Sequence, residues 1–296
     1  MVDIAKLSTE GRNEKTKDID LLSAGEIIRI MNEEDLKVIE AVKGALPQIE
    51  ALIEQTTKAY KNGGRIVYIG AGTSGRLGLM DAVEVVPTFN SDRFIGLIAG
   101  GDNAFVKAVE GAEDSKELCV SDLKNIGLSD RDFVIGIAAS GRTPYVIGGL
   151  DYARSIGAGT GCLCCNIDTE IAKHCDWPIE LSAGPEVLIG STRLKSGTCQ
   201  KMVLNMISTA TMIGAGKVYS NLMVDVRATN EKLVERCRRI VMEATGCEHD
   251  KADVVLKETN NSCKLAIVMI LLNISKEEAE KRLEEAEGSV RKALKE

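Results

Sequence analysis

The chain has 296 residues, 44% of them apolar and 27% charged, the balance of a globular protein rather than a disordered or fibrous one. Its formal charge of −7 leaves no general basic field to hold a polyanion, so nucleic acid is excluded as an expected partner. The longest unbroken apolar run, Leu265–Leu272, is eight residues, short of the roughly 20 a membrane helix needs. The opening Met-Val-Asp-Ile-Ala-Lys carries charge where an export signal would be apolar. A cytoplasmic protein without a membrane partner is expected.

A polar stretch, Leu7–Asp20, leads into an apolar-periodic segment from Ala24 to Tyr60 that predicts two helices, with Pro47 in a first turn. From Arg65 the pattern changes to short runs separated by helical spacers. Arg65–Ile69, Phe94–Ile98, Phe133–Ala138, Gly161–Cys165 and Trp177–Leu181 read as strands. Strands alternating with helices predict an α/β fold, a doubly wound five-stranded parallel sheet covered on both faces. A further helical segment covers Thr198–Ile213. Beyond Asn230 the chain is charged and helix-periodic, with breaks at Gly246, Asn260–Asn261 and Asn273. Three helical pieces are expected there: Leu233–Thr245, an interrupted His249–Leu272, and Lys276–Lys295.

Nine cysteines, an odd number in a chain without an export signal, read as reduced thiols. Cys162, Cys164 and Cys165, followed by His174 and Cys175, lack the paired two-residue spacing of zinc modules. They fit a buried strand better than a metal site. His174 and His249 are the only histidines, so a nucleophile–His–Asp triad has few places to form and proton transfer is expected to fall to carboxylates.

The first strand runs into Gly70-Ala71-Gly72-Thr73-Ser74-Gly75-Arg76, a G-x-G-x-x-G turn before a helix. Two hydroxyls in the turn, and no acid ahead of Asp102 after the second strand, favour an isolated phosphate over a dinucleotide. The third strand runs into Ala139-Ser140-Gly141-Arg142-Thr143-Pro144, repeating Ser-Gly-Arg 66 positions on, from 74 to 140. In a sheet of flavodoxin-like order 2-1-3-4-5 the two turns open into one crevice. Two ordinary glycine turns with serine helix caps are the plainer alternative. A third turn, Gly184–Thr198, supplies hydroxyls at Ser191 and Thr192, the cations Arg193 and Lys195, and the carboxylate of Glu186. Here too, simple capping of the next helix by Ser191 and Thr192 is open.

Glu84 sits in Ala-Val-Glu-Val-Val-Pro, where flanking valines would desolvate it and raise its pKa toward that of a proton donor. Glu110 and Glu113 are three apart, hence on one face if the segment is helical. The alternative for each is a solvated helix acid.

Together these residues resemble the N-acetylmuramic acid 6-phosphate etherases, a family with a sugar isomerase (SIS) domain. The matching stretches are Leu7–Asn13 with Asp18–Ser23, Tyr68–Gly78, Gly96–Gly101, Ala108–Ser115, Ile137–Ile147, Gly184–Lys201 and Asn221–Leu233. The family commonly reads Glu-Cys-Pro-Pro-Thr where this chain has Glu84-Val85-Val86-Pro87-Thr88, and Cys162–Asn166 also departs from its pattern. The resemblance implies three parts: residues 1–60 as a helical segment on the core, 61–229 as the SIS sugar-phosphate domain, and 230–296 as a small UBA-like helical domain.

It further implies cleavage of the D-lactyl ether of N-acetylmuramic acid 6-phosphate by elimination and hydration, giving N-acetylglucosamine 6-phosphate and D-lactate, with no redox cofactor and no metal. By the same matching, Glu84 falls at the proton donor and Glu113 at the proton acceptor. Thr73, Ser74, Gly75, Ser140, Gly141, Thr143, Ser191 and Arg193 would surround the sugar phosphate, with Glu186 a reserve for proton transfer. Glu10, Arg12 and Asn13 would reach a pocket, and a homodimer with sites at the interface is expected. Two other functions are compatible with SIS loops: a sugar-phosphate-sensing regulator similar to the glucokinase regulatory protein, and an aldose–ketose sugar-phosphate isomerase.

Overall fold

The computed structural model describes residues 7–107, 109–226, 228 and 230–295. The charged opening, Ala108 of the Ala108–Ser115 match, and Arg227 and Thr229 of the tail match lie outside the described residues. The rest forms two compact units: one runs to Val83 and includes Arg93–Ser208, the other joins Glu84–Asp92 to the chain from Thr209 onward.

The first unit opens with short 3-10 turns and two helices, α1 (Ala24–Gly44) and α2 (Leu46–Lys61). Ser23 and Glu26 form a reciprocal capping box on α1, and Pro47 lies in the first turn of α2 as expected. There follow β1 (Ile66–Gly70), α3 (Gly72–Phe89), β2 (Phe94–Ile98), α4 (Asn103–Val106), α5 (Lys116–Asn125), β3 (Phe133–Ala138), α6 (Pro144–Ser155), β4 (Gly159–Cys164), β5 (Trp177–Glu180) and α7 (Lys195–Gly214). The strands form one all-parallel sheet in the order β2-β1-β3-β4-β5, matching the expected strands to within two residues at each end.

Alternation of side chains explains the two covered faces. Val67, Ile69, Val134, Cys162 and Cys164 pack with Leu123, Tyr145 and Leu150 of α5 and α6. On the other face Gly161 leaves room for Leu52 of α2, whose Cδ1 would stand 2.5 Å from any Cβ there. At the amino-terminal edge Arg65 donates from Nε and Nη2 to Asp132 and from Nη1 to the Ile126 carbonyl. Burial pushes the Asp132 carboxyl up, but bonds from Arg65 and Ser129 outweigh it and hold the group below its ordinary range. The strand cysteines Cys162, Cys164 and Cys165 are buried free thiols.

The second unit takes the end of α3, the last turns of α7, and α8 (Glu231–Thr245), α9 (His249–Glu258), α10 (Cys263–Leu272), α11 (Lys276–Glu285) and α12 (Val290–Ala293). Cys237, Val241, Leu256, Ile267, Val268 and Val290 form its core. Among the described residues the tail therefore has five helices: the expected interruption of His249–Leu272 is present, and the expected single piece Lys276–Lys295 is divided in two. Asn260 and Asn261, at φ 51° and 63°, turn the chain between α9 and α10, and Glu287 and Gly288, at 53° and 76°, do so before α12. Asn230, Ser262, Ser275 and Ser289 cap α8, α10, α11 and α12. Among the described residues no helix is long and apolar enough to cross a membrane.

Candidate active site

The register brings the strand ends to one edge: Gly70 pairs with Ile98 and with Ile137, Ala138 with Cys164, and Cys164 with Glu180. Because β1 lies between β2 and β3, the turns after β1 and β3 are neighbours at that edge, as expected. α3 begins at Gly72, so the first-turn N–H groups and the dipole end face the crevice. Only glycine fits at two points of these turns. A Cβ on Gly75 would meet the Gly70 carbonyl oxygen at 2.7 Å. Gly141 has φ +70°, and a Cβ there would stand 2.3 Å from Thr169 Cγ2.

The capping alternative for these turns does not match the structure. Ser74 Oγ donates to Gln200 Oε1 on α7 at 3.0 Å, and Thr143, at the cap position of α6, makes no side-chain capping bond among the described residues. At α7 the capping group is Glu186 rather than Ser191 or Thr192. Its Oε2 accepts from the Lys195 N–H at 2.9 Å, and its Oε1 accepts from the Ser196 N–H and hydroxyl, each at 2.9 Å. Glu186 is wholly buried. Both oxygens are engaged in holding the third turn against α7.

The three turns are stitched together through side chains of their own unit. Asn166 Nδ2 donates to the Ala139 carbonyl and to Thr9 Oγ1, both at 3.0 Å, while its Oδ1 accepts from Ser8 Oγ at 2.9 Å. The Cys165 N–H donates to the same Ala139 carbonyl, and Cys165 Sγ reaches the Ser196 carbonyl at 3.5 Å. A Cβ on Gly197 would stand 3.6 Å from Thr73 Cγ2. The rim thus runs from Thr73 and Ser74 through the start of α7 to Ala139. Ser140, Thr143 and Ser191 are half-buried along it and Arg193 is exposed.

The amino-terminal segment packs under the third turn. Asn13 Nδ2 donates to Glu34 Oε2 at 2.9 Å and to the Pro185 carbonyl at 3.4 Å, and Thr16 Oγ1 donates to the Val187 carbonyl at 2.9 Å. A Cβ on Gly190 would lie 3.3 Å from Glu10 Oε2. Asn13 is therefore a buried support of its own chain, while Arg12 is exposed. Lys195, counted above as one of two cations of the third turn, is buried too. Its Nζ donates to Glu34 Oε2 and to the Ala183 carbonyl, each at 2.9 Å. Burial pushes the Glu34 carboxyl up, but bonds from Lys195, Lys37 and Asn13 outweigh it and hold the group at about 2. Sequence reasoning missed Glu34 and Gln200. The signal for Glu34 was its place four and eight residues before Val38 and Val42, in the buried stripe of α1.

Of the acids, Glu113 is exposed in the 3-10 turn Ala112–Asp114 and lines a cavity of about 220 Å³ with Ala71, Gly72, Arg76, Ala104 and Glu110. Arg76 forms part of that wall, donating from Nε to the Phe105 carbonyl and from Nη2 to the Ala104 carbonyl. Glu110 and Glu113 do not share a helical face, because Gly111 at φ +74° breaks the segment between them; both still line the cavity. Glu84 is exposed on α3, twelve residues past Gly72 in the chain, and belongs to the second compact unit. The expected desolvating shell is missing: Glu84 and Val83 are both exposed, and of the two flanking valines only Val85 is buried.

The family model for the glucokinase regulatory protein N-terminal SIS domain matches residues 48–154. A phosphoheptose isomerase from Neisseria gonorrhoeae, 15% identical, superimposes with a TM-score of 0.51 over 64% of this chain and 98% of its own, which supports the fold alone. The N-acetylmuramic acid 6-phosphate etherase of Exiguobacterium sp. is 57% identical over 291 residues, 98% of this chain and 99% of that one. N-acetylmuramic acid 6-phosphate etherase 2 of Lactiplantibacillus plantarum is 55% identical over 295 residues, 99% and 100% of the two chains. With the SIS sheet order and identity running through both units, the chain belongs to the N-acetylmuramic acid 6-phosphate etherase family.

Proposed function

We propose that the protein is a lyase that cleaves the D-lactyl ether of N-acetylmuramic acid 6-phosphate, releasing N-acetylglucosamine 6-phosphate and D-lactate, in the cytoplasm. Beyond family membership, one observation carries this reading: the cavity lined by Glu113 is also lined by Gly72, at the start of the α3 turn. A carboxylate therefore stands beside the groups suited to an anion. The phosphate sits on the first-turn N–H groups with the Thr73 and Ser74 hydroxyls and the close-packed Gly75. Ser140, Gly141, Thr143, Ser191 and Arg193 complete the grip on the sugar.

In the ring-opened sugar the C1 aldehyde acidifies the C2–H. Glu113, as carboxylate, takes that proton while the C3–O bond to lactate breaks. Glu84, as carboxylic acid, protonates the departing oxygen. Water then adds at C3 of the unsaturated aldehyde, giving a proton to Glu84, and Glu113 returns its proton to C2. One water is consumed and no electrons are exchanged, so the sequence needs no redox cofactor. Each proton transfer of this kind is worth about 10²- to 10⁴-fold in rate.

Glu84 belongs to the second compact unit, whereas Gly72 and Glu113 belong to the first. In this reading it serves the grip of a partner chain in a homodimer. Glu186 enters as a positioning residue, holding the third turn on α7. Incubation with N-acetylmuramic acid 6-phosphate should release D-lactate, with little release from the unphosphorylated sugar. Tight binding of the 6-phosphate without lactate would favour a sugar-phosphate sensor instead. A ketose product would favour an isomerase.

A further inference from the structure

Ser74 has one hydroxyl proton, and it is spent: Oγ donates to Gln200 Oε1 at 3.0 Å. A phosphate at this turn offers mainly acceptors, so it can use Ser74 only if that proton turns away from Gln200. The other half of the Gln200 amide is unsatisfied. Nε2 has no hydrogen-bond partner among the described residues, and the side chain is 1% exposed. A buried N–H left without an acceptor is rarer in proteins than an under-satisfied carbonyl. Cys199 and Val203 beside it on α7 are fully buried, where an apolar side chain would avoid that orphan altogether.

We infer that Ser74 and Gln200 form a two-state hydrogen-bond relay that prepares the first turn for phosphate. Without ligand, Ser74 donates to Oε1 and Nε2 is orphaned. With phosphate bound, Ser74 donates to a phosphate oxygen, the amide turns over, and Nε2 donates to Ser74 Oγ. The orphan moves from a donor to a carbonyl, and the new bond polarises the Ser74 hydroxyl so that it donates more strongly. No covalent bond changes. Gln200 is thus a positioning residue that acts through Ser74, an inference that rests on the phosphate lying at this turn.

The test is a double-mutant cycle read on binding of N-acetylglucosamine 6-phosphate and of unphosphorylated N-acetylglucosamine by calorimetry. Gln200→Met keeps the side-chain length and removes the amide. Alone it should weaken the 6-phosphate about fivefold and leave the unphosphorylated sugar unchanged. In a Ser74→Ala background its effect should fall below about 1.5-fold, since contacting groups that act as a unit are not additive. Equal loss in both backgrounds, or equal loss for both sugars, overturns the relay and leaves Gln200 as packing. If Ser74→Ala alone leaves 6-phosphate binding intact, the phosphate placement fails instead, a separate result. Should Gln200→Met not fold, Gln200→Asn, whose amide falls one methylene short of Ser74, completes the same cycle.

Discussion

Lys195 Nζ and Glu34 Oε2 meet at 2.9 Å with side chains 1% and 0% exposed, although 161 positions separate them in the chain. The pair ties α1 to the start of α7, directly under the third turn. Glu34 is held at about 2, against an ordinary value of 4.5. A depressed carboxyl contributes stability that is complete above the unfolded value and is lost as pH falls toward the folded one. The shift corresponds to about 3 kcal/mol, close to the roughly 3–5 kcal/mol for breaking a buried pair. Glu34→Gln should therefore cost about 3 kcal/mol in urea unfolding at pH 7. Between about pH 4.5 and pH 2 the wild type should converge on the variant. A gap of the same size at pH 7 and pH 2.5 would contradict this.

Glu186 separates a supporting role from a chemical one. Its oxygens accept three bonds from Lys195 and Ser196, a cap and a charge at a helix start together worth about 1–2 kcal/mol. Glu186→Gln should lower the melting temperature by about 2–6 °C while lowering kcat by less than about tenfold. A loss of turnover as large as that of Glu113→Gln, with the melting temperature unchanged, would return Glu186 to proton transfer.

Ser74 and Ser140 lie in the neighbouring turns after β1 and β3. Ser74→Ala and Ser140→Ala should each weaken 6-phosphate sugars by about tenfold or more, the worth of a charge-assisted bond, without affecting the dephosphorylated forms. Equal weakening of both forms would show that these turns hold the ring.

Glu113 and Glu84 predict a pattern that depends on assembly. Glu113→Gln and Glu84→Gln should each lower kcat by about a hundredfold or more with KM little changed. If Glu84 serves the partner's grip, mixing the two inactive variants should restore activity, because one site of the hybrid dimer then holds both acids. Activity that stays absent after subunit exchange would place both acids in a site of one chain.

The five strands and their order were legible because β-branched runs and glycine turns report backbone geometry that tertiary contacts reinforce. The converging turns followed from that order. Groups whose roles depend on contacts distant in sequence were not legible. Lys195 looked like a free cation until Glu34 came from α1 to meet it, and Glu186 looked like a free acid until the start of α7 closed on it. Glu84 was misjudged at the level of the helix: valines adjacent in sequence point to different sides of α3. The tail breaks at Asn260–Asn261 and Asn273 were legible because asparagine enters the left-handed region readily; the break missed is at Glu287–Gly288, where glutamate does so against its ordinary preference and divides the expected Lys276–Lys295 piece.

The most direct test of the proposed chemistry is the fate of solvent oxygen when N-acetylmuramic acid 6-phosphate is turned over in ¹⁸O-water and both products are weighed by mass spectrometry. Elimination followed by hydration places the label on C3 of N-acetylglucosamine 6-phosphate and leaves D-lactate unlabelled. Label in the lactate would mean that water attacks the lactyl carbon, and the two-carboxyl sequence assigned to Glu84 and Glu113 would be wrong.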